Sequence, residues 1–308
     1  MSNLTRVTQF ILRGFSDAPE LRFVVILFFF FVYIFCLLGN FSIIMAVTRD
    51  SRLHYPMYFF LKNLSFLDMC YTSVTIPKAL ATSFTGSGII SYFECVTQLY
   101  IFITLAATES FLLTAMAYDR CLAILRPLLS GIIMNQRLCC ELLVMAWLSG
   151  AIYSVFHTVN TFSLPFCGPN VVEHFFCDIP PVMRLSCTDY HHNEQVGFAV
   201  SSCIIMSSFA LTLISYVFII STIVQIPSVD GRWKAFSTCS SHLTTVLLFY
   251  GTGSFMYLRS ASQYSPAQGR LASIFYSIFT PALNPVIYCL RNKDMKIALQ
   301  KLYCPKEH

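Results

Sequence analysis

The sequence predicts an all-α membrane protein. It reads as one domain of 308 residues: an extracellular segment 1–22, a bundle of seven transmembrane helices over 23–290, and a cytoplasmic tail 291–308 that opens with a short amphipathic helix. Three observations carry this. Hydrophobic residues make up 56% of the chain and charged ones only 11%, at a mean hydropathy of +0.65, where globular domains carry about 25% charged residues. The apolar runs spread over nearly the whole length, which favours one integral domain over several soluble ones. Seven of them reach the ~20 residues a helix needs to cross ~30 Å of hydrocarbon. Helix is the form that lipid permits, because it satisfies the backbone internally where an open sheet would not.

Residues 1–22 hold Arg6, Arg13, Asp17, Glu20 and Arg22 and no apolar h-region, so no cleavable signal peptide is expected and the first span serves as the insertion signal. The spans run Phe23 to Thr48, Met57 to Leu80, Tyr92 to Leu125, Leu138 to Asn160, Val196 to Gln225, Ala235 to Leu258 and Leu271 to Leu290. Span three runs out through Met116-Ala117-Tyr118-Asp119-Arg120, and an adjacent acid and base at a lipid boundary mark a site. Between spans four and five lies a loop of more than 30 residues without helical or strand periodicity, a length that is usually functional or disordered. Beyond span seven, Met295, Ile297, Ala298, Leu299 and Leu302 interleave with Lys293, Lys296 and Lys301. From Asp294 to Tyr303 this is the pattern of a helix lying on the membrane, and Cys304 beside it is a candidate for acylation.

Orientation follows from the bases. With the amino terminus outside, thirteen of the 20 Lys and Arg fall on the cytoplasmic side and seven outside, while Asp17, Glu20, Glu94, Glu173, Asp178, Asp189 and Glu194 all fall outside. The positive-inside rule then favours an extracellular amino terminus, and a multi-pass protein of the plasma membrane is expected. Its formal +5 reflects attraction to inner-leaflet membrane lipid, and nothing points to nucleic acid.

Of 13 cysteines, Cys95, Cys167, Cys177 and Cys187 lie on the outer side; the others are in spans or in the cytoplasm, where structural bridges are rare. Four cysteines allow three pairings, and spacing alone does not choose. Two bridges would make the long loop a fixed lid. A rival metal cluster with His174, His191 and His192 lacks the paired-cysteine spacing of a zinc site. Inside the bilayer, Asp68 of span two and Glu109 of span three are ionisable groups at a depth where charge is costly, so they mark function by default.

Four motifs point to a family: Gly39-Asn40 in span one, Leu53-His54-Tyr55-Pro56-Met57-Tyr58-Phe59-Phe60-Leu61 entering span two, Met116 to Arg120, and Pro281-Ala282-Leu283-Asn284-Pro285-Val286-Ile287-Tyr288 in span seven. Together they resemble a rhodopsin-like (class A) G-protein-coupled receptor of the olfactory branch. Lys234-Ala235-Phe236-Ser237-Thr238-Cys239-Ser240-Ser241-His242-Leu243, opening span six, resembles a block particular to odorant receptors. So does Phe166-Cys167-Gly168-Pro169-Asn170 through His174-Phe175-Phe176-Cys177-Asp178. The resemblance implies a receptor and not an enzyme. It would bind a small-molecule odorant and activate a heterotrimeric G protein of the stimulatory, olfactory class, raising cyclic AMP.

The resemblance also implies residue roles. It pairs Cys95 with Cys177 and Cys167 with Cys187, and reads Asn3-Leu4-Thr5 as the glycosylation sequon; the same pattern at Asn40 and Asn63 falls in or at the membrane and is not a site. Asp68, Glu109 and Asn284 would form a polar pocket, a candidate sodium site in an otherwise cofactor-free protein, since such oxygens suit a hard cation. The alternative is a protonated pair that serves packing. The ligand cavity would be lined by Phe102, Ile103, Ala106, Ala107 and Ser110 of span three, Val200, Ser201 and Ile204 of span five, Gly253, Ser254 and Tyr257 of span six, Ile274 and Ser277 of span seven, and Ile179 of the lid. That lining is mostly apolar with a few hydroxyls and suits a neutral volatile molecule; Phe102 stands where amine receptors need an acid, and Arg259 is the nearest threat to neutrality. Tyr250 would take the push of an agonist, with Gly251 and Gly253 supplying a bend in span six. On the inner side Arg120 would pair with Asp119 when silent, then turn to Tyr216, Tyr288 and the G protein. Cys121, Leu125 and Ser130 depart from the family pattern in the second cytoplasmic loop, which bears on coupling. A seven-helix transporter or channel would need internal repeats or paired broken helices, and an intramembrane enzyme a clustered catalytic set; neither is present in the sequence.

Overall fold

The computed structural model describes residues 7–14, 22–257 and 266–303. Its long helices are α1 (Arg22–Arg49), α2 (Pro56–Thr85), α3 (Tyr92–Leu125), α5 (Gln136–Phe162), α7 (His191–Gln225) and α8 (Val229–Tyr257). A seventh segment combines α9 (Pro266–Ile274), a π-helical turn Phe275–Phe279 and α10 (Thr280–Arg291). Each overruns its expected span by a few residues at one end or both, except α3, whose bounds coincide. The ends follow local chemistry. Pro56 stands at the first turn of α2, where its missing N–H is no loss, and Gly86 closes that helix at φ 75, a backbone region closed to most side chains. Ser91 and Glu94 form a reciprocal capping box on α3, and Asn135 caps α5.

By length and apolarity, α1, α3, α5, α7 and the Gln268–Cys289 stretch suffice to cross a membrane; α2 and α8 are as long but too polar to meet the same measure. The side chains of the first group divide by face. Phe30, Phe31, Phe35, Leu211, Leu213 and Ile214 point outward and exposed, while a single buried cluster joins α1, α2, α3 and α8 to the seventh segment. Helix α3 lies at the centre, packed on α2, α5, α7 and α8. It crosses α5 closely at Gly150, where a built Cβ would come within 2.8 Å of the Thr104 carbonyl.

Three features were not legible as elements. The short strands β1 (Gln9–Leu12), β2 (Ile89–Ser91) and β3 (Val171–Val172) form a sheet in the order β2-β1-β3, antiparallel then parallel. The loop read as aperiodic therefore contributes β3, and also a short helix α6 (Ile179–Met183). Phe10, Leu12, Ile90, Phe166 and Val172 give this cap its own apolar core. A seven-residue helix, α4 (Pro127–Ile133), occupies the loop between α3 and α5. The tail forms α11 (Lys293–Tyr303), with Met295 and Ala298 buried against the bundle and Ile297 exposed. Asn3, Arg259 and Cys304 lie outside the described residues, as does the side chain of Tyr257.

Candidate functional site

A cavity of about 90 Å³ opens between α3, α7, α8 and the lid. Phe102, Ile103, Ala106, Ala107, Ser110, Ile179, Ser201, Ile204, Tyr250, Gly253 and Ser254 line it. Val200 does not, because one residue on a helix turns roughly 100° and Ser201 takes the inward position. Ile274 and Ser277 also miss it. Ser277 is fully buried and donates to the Ser273 carbonyl at 2.6 Å, Ile274 packs into the main core, and Tyr276 reaches the cavity instead. The π turn accounts for this, since a wider turn rotates the face that an α-helical count assigns. Tyr71, Tyr153, Ile205 and Phe249 complete the wall and were missed for want of any mark distinguishing them from core.

Hydroxyls organise the floor. Ser110 and Ser208 approach to 2.8 Å and the Tyr250 hydroxyl lies 3.1 Å from each, tying α3, α7 and α8 together. On the α5 side, Tyr153 Oη and Ser201 Oγ are 2.8 Å apart and His157 Nε2 lies 3.2 Å from the same Oγ. Helix α8 runs unbroken through Gly251 and Gly253, and nothing lies within 4 Å of a Cβ built on either.

The lid is fixed from several sides. Cys95–Cys177 and Cys167–Cys187 are both bridged, each with Cα atoms 5.6 Å apart. Gln98 accepts from the Cys177 amide at 2.9 Å and donates to the Val74 carbonyl at 2.9 Å, so α2, α3 and the lid share one side chain. Phe176 reaches down to Phe102 with ring centroids 4.6 Å apart, and Phe102 stacks on Tyr71 at 4.7 Å. His174 Nε2 meets Ser273 Oγ at 3.0 Å, and the Tyr276 hydroxyl donates to Asp178 at 3.2 Å, joining the lid to the seventh segment. Burial first, then the nearby Arg270, push His174 down to about 3 against the pull of the Phe176 carbonyl, so it is neutral. His191 and His192 are exposed at the start of α7, and among the described residues no group of three His, Cys, Asp or Glu could hold a metal.

On the opposite face, Arg120 Nη2 pairs with Asp119 Oδ2 at 2.9 Å, with side chains only 11% and 6% exposed. Both border a cavity of about 920 Å³ with Tyr58, Ser130, Trp233, His242 and Tyr288. Tyr216 is off this lining; its hydroxyl lies 2.7 Å from His242 Nδ1, at the α7–α8 contact. Ser130 donates to the Pro127 carbonyl within α4, and Cys121 and Leu125 sit partly exposed near the end of α3.

Between the two cavities, Asn284 donates to Asp68 Oδ2 at 2.9 Å and accepts from Thr245 at 3.3 Å. Asp68 Oδ1 and Glu109 Oε1 are buried without a hydrogen-bond partner. Two such oxygens beside a carboxamide fit a small hard cation or a shared proton.

A sequence model of the olfactory receptor family matches residues 29–306. The chain belongs to the olfactory receptor family. It is 46% identical to human olfactory receptor 5I1 over 97% of this chain and 96% of that one. It is 48% identical to human olfactory receptor 9I1 over 98% and 96%, and 47% identical to human olfactory receptor 2G3 over 99% of both. This olfactory receptor is therefore a membrane-embedded G-protein-coupled receptor and not an enzyme, with its two lid bridges in place.

Proposed function

We propose that this receptor binds a neutral volatile odorant in the cavity beneath the lid and activates a stimulatory G protein of the olfactory class from the plasma membrane, raising cyclic AMP. One observation carries the reading: an apolar cavity with a few hydroxyls sits under a doubly bridged lid, and across the bundle from it an internally paired Asp119–Arg120 borders a cavity of about 920 Å³. The first suits a small uncharged ligand. The second has the size and placement to accept an amphipathic helix once α8 moves.

All seven long segments span the membrane in this reading, as a single domain with the amino terminus outside. Helices α2 and α8 are included because their polar residues turn inward: Asp68, Thr72, Thr75, Ser240, Ser241, His242 and Thr245 are all buried, while Phe66 and Leu247 face out. Hydropathy averaged along the chain misses this division between faces. The ligand presses on Tyr250, loosening the hydroxyl contacts that hold α8 to α3 and α7; α8 swings, Arg120 leaves Asp119 and contacts the G protein beside Tyr216 and Tyr288. Asp68, Glu109 and Asn284 would hold a sodium ion in the silent state, its single charge offsetting one carboxylate while the other acid keeps its proton, where lipid can offset neither. The amino terminus is glycosylated at Asn3. The test is a cyclic AMP assay of cells that express the receptor against an odorant panel. Odorant responses in the wild type that vanish in Arg120→Ala at equal surface level are expected, and silence to every odorant at normal surface level would refute the reading.

A further inference from the structure

Three polar groups on the α5 side of the cavity form a chain whose direction can be worked out. Ser201 Oγ has two neighbours, Tyr153 Oη at 2.8 Å and His157 Nε2 at 3.2 Å. His157 is 1% exposed, and its other ring nitrogen, Nδ1, is buried with no partner. Tyr153 and Ser201 both line the cavity, while His157 lies behind them.

Three proton arrangements are available. In the first, Tyr153 donates to Ser201 and Ser201 donates to His157; the imidazole proton then sits on Nδ1, a buried donor with nothing to receive it. In the second, Tyr153 and His157 both donate to Ser201, and the serine proton is stranded. In the third, His157 Nε2–H donates to Ser201, Ser201 donates to Tyr153, and the tyrosine proton is left over at the cavity wall. Each arrangement leaves one proton over; only the third leaves it on Tyr153, half-buried at the cavity wall, and not on His157 or Ser201, which are 1% and 8% exposed, while giving the orphaned position, Nδ1, a lone pair. A desolvated donor without an acceptor costs more than an under-used acceptor, which is why orphaned buried N–H groups are rarer than orphaned oxygens.

We infer that Tyr153 is a specificity-determining hydrogen-bond donor, its proton directed into the cavity by the His157–Ser201 relay, and that this receptor selects odorants carrying an acceptor oxygen with no need of a donor: ketones, aldehydes and esters. This rests on the odorant-receptor reading above. The wall hydroxyls of Ser110, Tyr250, Tyr276 and Ser254 do not supply the same fixed polarity. Ser110 and Tyr250 are engaged with Ser208, and Tyr276 is committed to Asp178. Ser254 is a freely rotating hydroxyl that can donate or accept.

The experiment uses full-length receptor in cells, cyclic AMP as the readout, and a panel of odorants grouped by skeleton: for each skeleton the hydrocarbon, the alcohol, the ketone or aldehyde, and the acetate ester. Wild type is expected to respond to ketones, aldehydes or esters at least as well as to the alcohols of the same skeleton. Tyr153→Phe is expected to raise the half-maximal concentration for those acceptor-only agonists by tenfold or more at equal surface level, with hydrocarbon agonists unchanged. Ser201→Ala, which cuts the relay but keeps the phenol, should give a smaller shift in the same direction. Agonists confined to alcohols would mean that Tyr153 accepts, and would overturn the proposal while leaving the receptor reading intact; so would acceptor-only agonists whose potency survives Tyr153→Phe. If Tyr153→Phe does not reach the surface, the comparison of alcohol with ketone on wild type decides alone. Silence to the whole panel overturns the receptor reading itself, and the proposal with it.

Discussion

Gly150→Ala is the sharpest test of how the bundle is held together. A methyl group there would lie 2.5 Å from Thr108 Oγ1 and 2.8 Å from the Thr104 carbonyl oxygen. Neither can give way cheaply. The Thr108 hydroxyl is spent on the Thr104 carbonyl at 2.7 Å, Thr108 is fully buried, and the second obstacle is backbone. Helices α3 and α5 would have to separate by several tenths of an ångström, a repacking of the kind that costs ~1–3 kcal/mol. One turn along α5, Ser154 donates to the Tyr100 carbonyl across the same crossing, and losing that bond adds ~1 kcal/mol. Alanine's better helix propensity returns ~1 kcal/mol. A net loss of ~1–3 kcal/mol remains, roughly a 5- to 150-fold shift against the folded state. The assay is the thermal midpoint of detergent-solubilised receptor together with the fraction at the cell surface. Gly131→Ala in α4, where nothing lies within 4 Å of the added methyl, is the control and should hold or raise both. An unchanged midpoint and surface level for Gly150→Ala would refute the reasoning.

Cys95→Ser or Cys177→Ser should each abolish surface folding, because removing a bridge from an oxidised loop region typically costs ~2–5 kcal/mol; normal surface staining of both variants would count against the lid as a structural element. Arg120→Ala should silence cyclic AMP while leaving odorant binding nearly unchanged, since the residue stands across the bundle from the ligand; binding lost in parallel with signalling would contradict that separation. His174, held neutral down to about pH 3, takes up a proton near 6.5 once the lid unfolds. The unfolded state therefore binds more protons between those values, and stability falls as pH drops below about 6.5, by at most ~1.4 kcal/mol per unit. Thermal midpoints at pH 7.5 and 5 should differ in the wild type and converge in His174→Asn.

Much of the fold is written in runs of apolar residues, because a bilayer reduces the choice of structure to helix and sets its length. The misses have a common cause. Periodicity cannot report pairing between segments far apart in sequence, and Gln9–Leu12 becomes a strand only because Ile89–Ser91 and Val171–Val172 flank it. The same limit applies at α2 and α8. Their averages look too polar for lipid, yet Asp68, Thr72, His242 and Thr245 are buried against neighbours that no linear average can see.

The site was legible to the extent that its residues lie on regular helices. Helical spacing put Phe102, Ile103, Ala106, Ala107 and Ser110 of α3 on one face, and the resemblance turned that face toward what is the cavity. The positions that the resemblance alone supplied lie off the cavity at Ile274 and Ser277, where a π turn changes the count, and at Val200, one residue out of phase. What spacing could not give is the size of the space. About 90 Å³ is well under the ~300–1,000 Å³ of drug-sized ligand sites, so the cavity as it stands admits only a small molecule, and a longer odorant has to displace part of the wall. Tyr250 links the wall to the proposed switch, held by Ser110 and Ser208 at the floor. A ligand too large for the resting cavity and small enough to fit once Tyr250 moves gains affinity only in the rearranged state, and differential affinity of that kind is what shifts a two-state equilibrium. On this argument agonism should track ligand length beyond the resting volume, and molecules that fit without moving Tyr250 should bind as silent competitors.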